Sequence, residues 1–347
     1  MKPKQFAWAA ALAALAGCGG SESPPPPAAP DAASQPVMIG FSQGGVRLER
    51  WIKDEQSIIN RARELGASVL SLTALENPDL QNSQAENLII QGVDVLVVVP
   101  QDSEKSARII ELAHKAGIPV IAYDRIIRNC ALDYYVSFDN VKVGEYQAAG
   151  VIAALDPDRT NRLAYIGGSP VDANSAQLKQ GAMRVLQPLL ASGKATLELE
   201  TFTADWSAQN AYQDMKNFLD AGGRVEGVVA ANDATASGVI QALHEYGLPA
   251  LPVSGQDADL GACQRVAQGR QAVTVYKPID QLGRMAAEMA VQVARGLPVP
   301  VTASVNNGFH DVPSVLLESI PVTRENLNDT VVRDGFHTHA EVFGSHP

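Results

Sequence analysis

GVDVLVVVP, residues 92–100, is the stretch whose reading decides the fold. From Val93 to Val99 it is almost continuously aliphatic and mostly β-branched, which favours a strand over a helix. A strand with one wet face alternates apolar and polar residues. An unbroken run implies cover on both faces, as in a parallel sheet sandwiched by helices.

The flanking sequence supplies those helices. Upstream, Val37 to Phe41 and Ser68 to Leu72 read as strands, and Leu48 to Leu65 and Asp79 to Gln91 as helices. Downstream come a helix from Glu104 to Ala116 and a strand from Pro119 to Tyr123. The cycle then restarts. Arg162 to Ile166, Leu197 to Phe202, Val225 to Ala230, Leu251 to Ser254 and Ala272 to Tyr276 are strands, with helices at Asn174 to Leu190, Ala208 to Asp220 and Ala234 to Tyr246. Two rounds of βα alternation predict an α/β protein with two doubly wound parallel-sheet lobes. In such sheets ligands bind beyond the carboxyl ends of the strands.

The bulk numbers agree. A chain of 347 residues suits two domains of ordinary size, and 46% hydrophobic with 19% charged residues is globular composition. The net charge of -11 opposes binding to phosphate backbones, so nucleic acid is not an expected partner. Of the three cysteines, Cys18, Cys130 and Cys263, none has CxxC or zinc-ligand spacing. Cys130 and Cys263 fall on different predicted lobes, so they are read as thiols that do not bridge each other. No metal and no cofactor is expected.

The first residues read as an address. Lys2 and Lys4 precede an alanine-rich apolar run from Phe6 to Ala16, too short to span a bilayer, so residues 1–17 are expected to be a signal peptide. Leu15-Ala16-Gly17-Cys18 resembles the bacterial lipoprotein box, which implies lipidation at Cys18 and attachment to a membrane. Residues 18–35, rich in Gly, Ser and Pro, form a linker with too little apolar surface to fold. The proline run Pro24 to Pro27 makes it an extended spacer.

Polar residues succeed most of the predicted strands. Arg50 lies after the first, Asp124 and Arg125 after the strand ending at Tyr123, and Asp172 and Asn174 after Ile166. Trp206 follows Phe202, Asn232 follows Ala231, Asp257 follows Gly255, and Lys277 ends the last. Carboxylates and amides accept from adjacent hydroxyls, and a guanidinium donates as a planar fork. A monosaccharide offers vicinal hydroxyls around its rim and a less polar C–H face on which Trp206 could stack. Asp and Asn after a strand also cap the next helix, and that is the simpler role for Asp139 and Asp233. Trp51 is read as core.

Longer stretches carry a resemblance: RLERWIKD at 47–54, GVDVLVVVP at 92–100, AYDR at 122–125, SFDNVKVGE at 137–145 and GGSPVDAN at 167–174. ANDATASG at 231–238, SGQDADL at 254–260, TVYKP at 274–278, NNGFHDVPS at 306–314 and DTVVRDGFH at 329–337 continue it. From about Val37 to His337 the chain resembles the D-xylose-binding proteins of bacterial ABC importers, in the type I periplasmic, ribose- and galactose-binding-like family. The resemblance implies sugar contacts from Arg50, Asp124, Arg125, Asp172, Asn174, Trp206, Asn232, Asp257 and Lys277. It implies a D-xylose or similar monosaccharide ligand, an ABC permease as partner, a monomer, and an extracytoplasmic, membrane-anchored location. It also implies a three-segment hinge, with residues 36–138 and 279–308 in the N-terminal lobe and 139–278 and 309–347 in the C-terminal lobe. Pentose is expected to be preferred over hexose.

An enzyme is the weaker reading: the chain lacks a GxGxxG turn after its first strand, a GxSxG elbow, a Walker loop and HExxH. A sugar-responsive regulator would need a helix-turn-helix where the leader stands. A sensor that presents bound sugar to a chemoreceptor or kinase remains an alternative to transport.

Overall fold

The computed structural model describes residues 36–48, 50–248 and 251–344. The expected leader, linker and lipidation site at Cys18 lie outside them. The first half runs β1 (Met38–Gln43), α1 (Arg50–Glu64), β2 (Ser68–Thr73), α2 (Pro78–Ile90), β3 (Val95–Val99), α3 (Ala107–Lys115), β4 (Val120–Tyr123) and β5 (Tyr134–Phe138). Then come α4 (Asn140–Ala153), β6 (Asn161–Gly167), α5 (Ala173–Ala191), β7 (Ala195–Phe202), α6 (Ala208–Asp220), β8 (Gly227–Ala230), α7 (Asp233–Glu245), β9 (Ser254–Gln256), α8 (Leu260–Ala267) and β10 (Val273–Tyr276). The chain ends with α9 (Ile279–Ala294), β11 (Ala303–Asn306), β12 (Asp311–Leu317), β13 (Ile320–Val322) and α10 (His339–Phe343).

One lobe is built on a seven-stranded sheet in the order β11-β12-β5-β4-β3-β1-β2, parallel except for β11. β3 lies inside it, and all five of its residues are buried. Its side chains alternate between two cores: Val95, Val97 and Val99 join the cluster under α1 and α9, while Leu96 and Val98 join the one under α2 and α3. The aliphatic run is therefore a period-two strand whose two faces are both dry. The other lobe carries the sheets β7-β6-β8 and β13-β10-β9, linked by a parallel bridge from Val228 to Val253. Two βα lobes are present as the alternation predicts, although the strand expected at Leu251 to Ser254 is shorter and shifted to Ser254–Gln256.

The chain passes between the lobes after β5, after β10 and after β12. The last passage corrects the expected boundary at residue 308/309. β12 pairs in parallel with β5, from Ser314↔Tyr135 to Leu317↔Phe138, and places Val312 and Val315 in the two cores of the first lobe. Only with β13, antiparallel to β10, does the chain rejoin the second lobe. Cys130 and Cys263 are buried in different clusters and are not bridged to each other.

Candidate functional site

The carboxyl ends of the parallel strands from both lobes face each other, and the polar loops meet there. Arg50 is the first residue of α1, so the strand-to-helix turn after β1 delivers it to the cleft. Its guanidinium is shared out. Asp54, one helical turn on, takes Nε at 3.0 Å and Nη2 at 2.9 Å, and Tyr123 donates its hydroxyl to the same carboxylate. Nη1 lies 2.9 Å from Asp124 and 3.6 Å from Asp257, a residue of the opposite lobe. Arg50 is thereby fixed from behind and presents one edge forward.

Arg125 reaches across the cleft to Asp172, Nε to Oδ2 at 2.7 Å. The same oxygen accepts from Trp206 Nε1 at 3.1 Å, while Asp172 Oδ1 caps α5 at the backbone N–H of Asn174. Asn174 donates to Asp124 Oδ1 at 3.2 Å, again lobe to lobe. Asn232 caps α7 through Oδ1 in a reciprocal box with Thr235, which leaves its Nδ2 buried without a partner among the described residues. Capping and cleft duty are thus not alternatives. In Asp172 the capping bond of Oδ1 fixes the rotamer and leaves Oδ2 for Arg125 and Trp206. Asp139 caps α4, as its place after a strand predicts. Asp233 ties the loop instead, accepting from Thr274 Oγ1, Gln271 Nε2 and the Asp259 N–H.

Several of these side chains stand on unusual backbone. Asp124 (φ 60°), Asp205 (φ 56°), Trp206 (φ 57°), Asp257 (φ 93°) and Ala258 (φ 53°) occupy the left-handed region, rare for residues other than glycine. Each sits where a strand ends on the cleft, and such strain concentrates at ligand sites. The ring of Trp206 also requires the missing side chain of Gly168, because a Cβ there would lie 2.1 Å from the indole.

Eight of the predicted residues line one narrow space between the lobes: Arg50, Asp124, Arg125, Asp172, Asn174, Trp206, Asp257 and Lys277. The ninth, Asn232, is fully buried and is not among the lining residues. Leu48, Trp51 and Gln256 line the space and are not assigned to it by the sequence reading. Trp51 does belong to a core cluster, yet the guanidinium carbons of Arg50 and Arg125 also lie 4.6 and 5.3 Å from its ring centroid. An aromatic next to an arginine in the first turn of α1 is the available signal.

The electrostatics reflect burial and pairing. Burial alone would lower the Arg50 pKa, but Asp124 and Asp54 outweigh it and hold the guanidinium charged. Burial raises Asp124 as well, and Arg50, Lys277 and Arg125 more than reverse that, keeping it below the usual carboxylate range. For Asp54 and Asp172 burial wins over their arginine partners, and both carboxyls titrate high. Among the described residues Gln256 Oε1 is buried with no hydrogen-bond partner, and Asp257 Oδ1 has no hydrogen bond beyond its 3.6 Å ion pair with Arg50. Orphaned polar atoms around a small closed space are what a hydroxyl-bearing ligand would satisfy.

Known proteins share this fold. Residues 39–298 match the family described as periplasmic binding protein domain. The chain is 45% identical over 312 residues to the D-xylose-binding periplasmic protein of Haemophilus influenzae, covering 89% of this chain and 93% of that one. It is 43% identical over 311 residues to the D-xylose-binding periplasmic protein of Escherichia coli, with the same coverage of 89% and 93%. An ABC transporter solute binding protein from Clostridium phytofermentans with bound β-D-glucose superposes with TM-score 0.81 at 28% identity, over 88% of this chain and 99% of that one. A carbohydrate transporter solute binding protein from Chloroflexus aurantiacus in complex with D-glucose gives TM-score 0.82 at 27% identity, over 89% and 98%. With two doubly wound lobes shut on a small polar space, and likeness to sugar-binding proteins along nearly its whole folded length, the chain belongs to the type I periplasmic binding protein family.

Proposed function

We propose that this protein binds D-xylose, or a closely similar aldose, between its lobes and hands it unaltered to an ABC permease. The observation that carries the reading is the ring of arginine, aspartate and amide groups that converges from both lobes on one narrow space, with Trp206 on one wall. Arg50, Asp124, Arg125, Asp172, Asn174, Asn232, Asp257 and Lys277 are the proposed hydroxyl-binding groups, and Trp206 the plate for the C–H face. The likeness to D-xylose-binding proteins over most of both chains supports the choice of sugar.

Closure is driven by the sugar, because only the closed form offers contacts from both lobes. Selectivity comes from the buried charges. A sugar lacking the matching hydroxyl leaves one of them unpaired, at about 1–3 kcal/mol, and an added C6 group must displace a wall. Lipidation at Cys18 and the spacer at 18–35 would keep this cycle beside the membrane in the extracytoplasmic compartment.

Calorimetric titration with D-xylose, L-arabinose, D-ribose and D-glucose tests the reading, with D-xylose expected tightest. Tighter binding of glucose would overturn the pentose assignment. Recovery of a chemically changed sugar after incubation would overturn the assignment as a binding protein.

A further inference from the structure

Gln256 is the last residue of β9, and its side chain is only 4% exposed. It lines the central space, and its Oε1 has no hydrogen-bond partner among the described residues. Neighbouring side chains on a strand normally point to opposite faces, so Gln256 and Asp257 should not share a wall. They do share it, because Asp257 leaves the extended conformation with φ 93°. The backbone of Gln256 is still held in the ladder opposite Val275, so the side chain has a fixed origin.

The charge balance explains an amide at this place. Asp54, Asp124, Asp172 and Asp257 are buried around Arg50, Arg125 and Lys277, so carboxylates already outnumber cations. A neutral oxygen adds an acceptor without adding another buried negative charge. We infer that Gln256 is a specificity-determining contact, whose amide oxygen accepts a hydrogen bond from one hydroxyl of the bound aldose, beside the hydroxyl taken by Asp257.

The inference rests on the aldose-binding reading above and deepens it. Its test is Gln256→Met, close in shape but without the amide, titrated with D-xylose and each of its monodeoxy analogues, alongside the unaltered protein. D-xylose is expected to bind the variant about tenfold more weakly, the scale of one neutral hydrogen bond in a closed site. One deoxy analogue should bind the unaltered protein about tenfold more weakly than D-xylose, yet bind the variant as well as D-xylose does. The melting temperature without sugar should hold, since no internal partner of Oε1 is lost; Gln256→Leu repeats the measurement if the methionine variant does not fold. Equal D-xylose affinity in variant and unaltered protein, or discrimination kept against every analogue, overturns the role of Gln256 alone. Failure of the unaltered protein to bind any aldose overturns both this inference and the reading beneath it.

Discussion

Arg125 of the first lobe and Asp172 of the second meet across the cleft at 2.7 Å, both almost fully buried. The pair exists only while the lobes are shut, so its energy belongs to the closed form and not to the folding of either lobe. Removing one partner strands the other as a buried charge, which costs about 3–5 kcal/mol. When the lobes part, water takes its place.

Arg125→Met should therefore weaken D-xylose binding by about a hundredfold or more while leaving the melting temperature of the unliganded protein nearly unchanged. Calorimetry and a thermal melt check both halves. A dissociation constant within about threefold of the unaltered protein would refute the assignment.

Trp206 has two duties, a flat apolar face and an N–H held by Asp172. Trp206→Phe keeps the first and loses the second, so about a tenfold loss of D-xylose affinity is expected; Trp206→Ala loses both, and about a hundredfold is expected. Equal losses in the two titrations would mean that stacking contributes nothing.

Burial and the neighbouring Asp257 push the carboxyl of Asp233 up to about 7. Arg265, which opposes this, and Thr274 and Gln271, which donate to the carboxylate, do not cancel the rise. A carboxyl raised above its unfolded value of about 3.9 stabilises the fold fully below that value. The contribution is lost as pH climbs from about 4 through about 7. Urea unfolding at pH 5, 6 and 7 should show the unaltered protein losing stability relative to Asp233→Asn as pH rises. Parallel curves would count against the raised titration.

Arg47 and Asp205 also bridge the lobes, at 3.5 Å, but at the rim, where both side chains are almost half exposed (47% and 45%). Exposed pairs are worth about 0–1 kcal/mol and are screened by salt. Arg47→Ala should change D-xylose affinity less than about threefold, and raising the salt should erase the change. A loss on the scale of Arg125→Met would make the rim a latch of the first rank.

Much of the fold is legible because β3 reads as an inner strand, and the loops of the cleft because polar residues recur after so many strands, although Asp139 and Asp233 use the same position only to cap a helix or tie a loop. What escapes depends on chain segments far apart in sequence. The pairing of β12 with β5 joins residues nearly two hundred positions apart, and nothing local to Phe309 marks it. Gln256 escapes because strand alternation turns it away from Asp257, and the left-handed φ that undoes this is not written in either residue. Trp51 reads as core, which it is, while its ring also borders the cleft.

The left-handed residues at the strand ends set a limit on how this pocket can be altered. At Asp124, Asp257 and Trp206 a change of side chain is also a change in the strain of the main chain, and branched residues are the worst placed there. Gln256, Asn174 and Lys277 carry no such constraint. A drift from one cargo to another, in nature or at the bench, has its easiest route through those three.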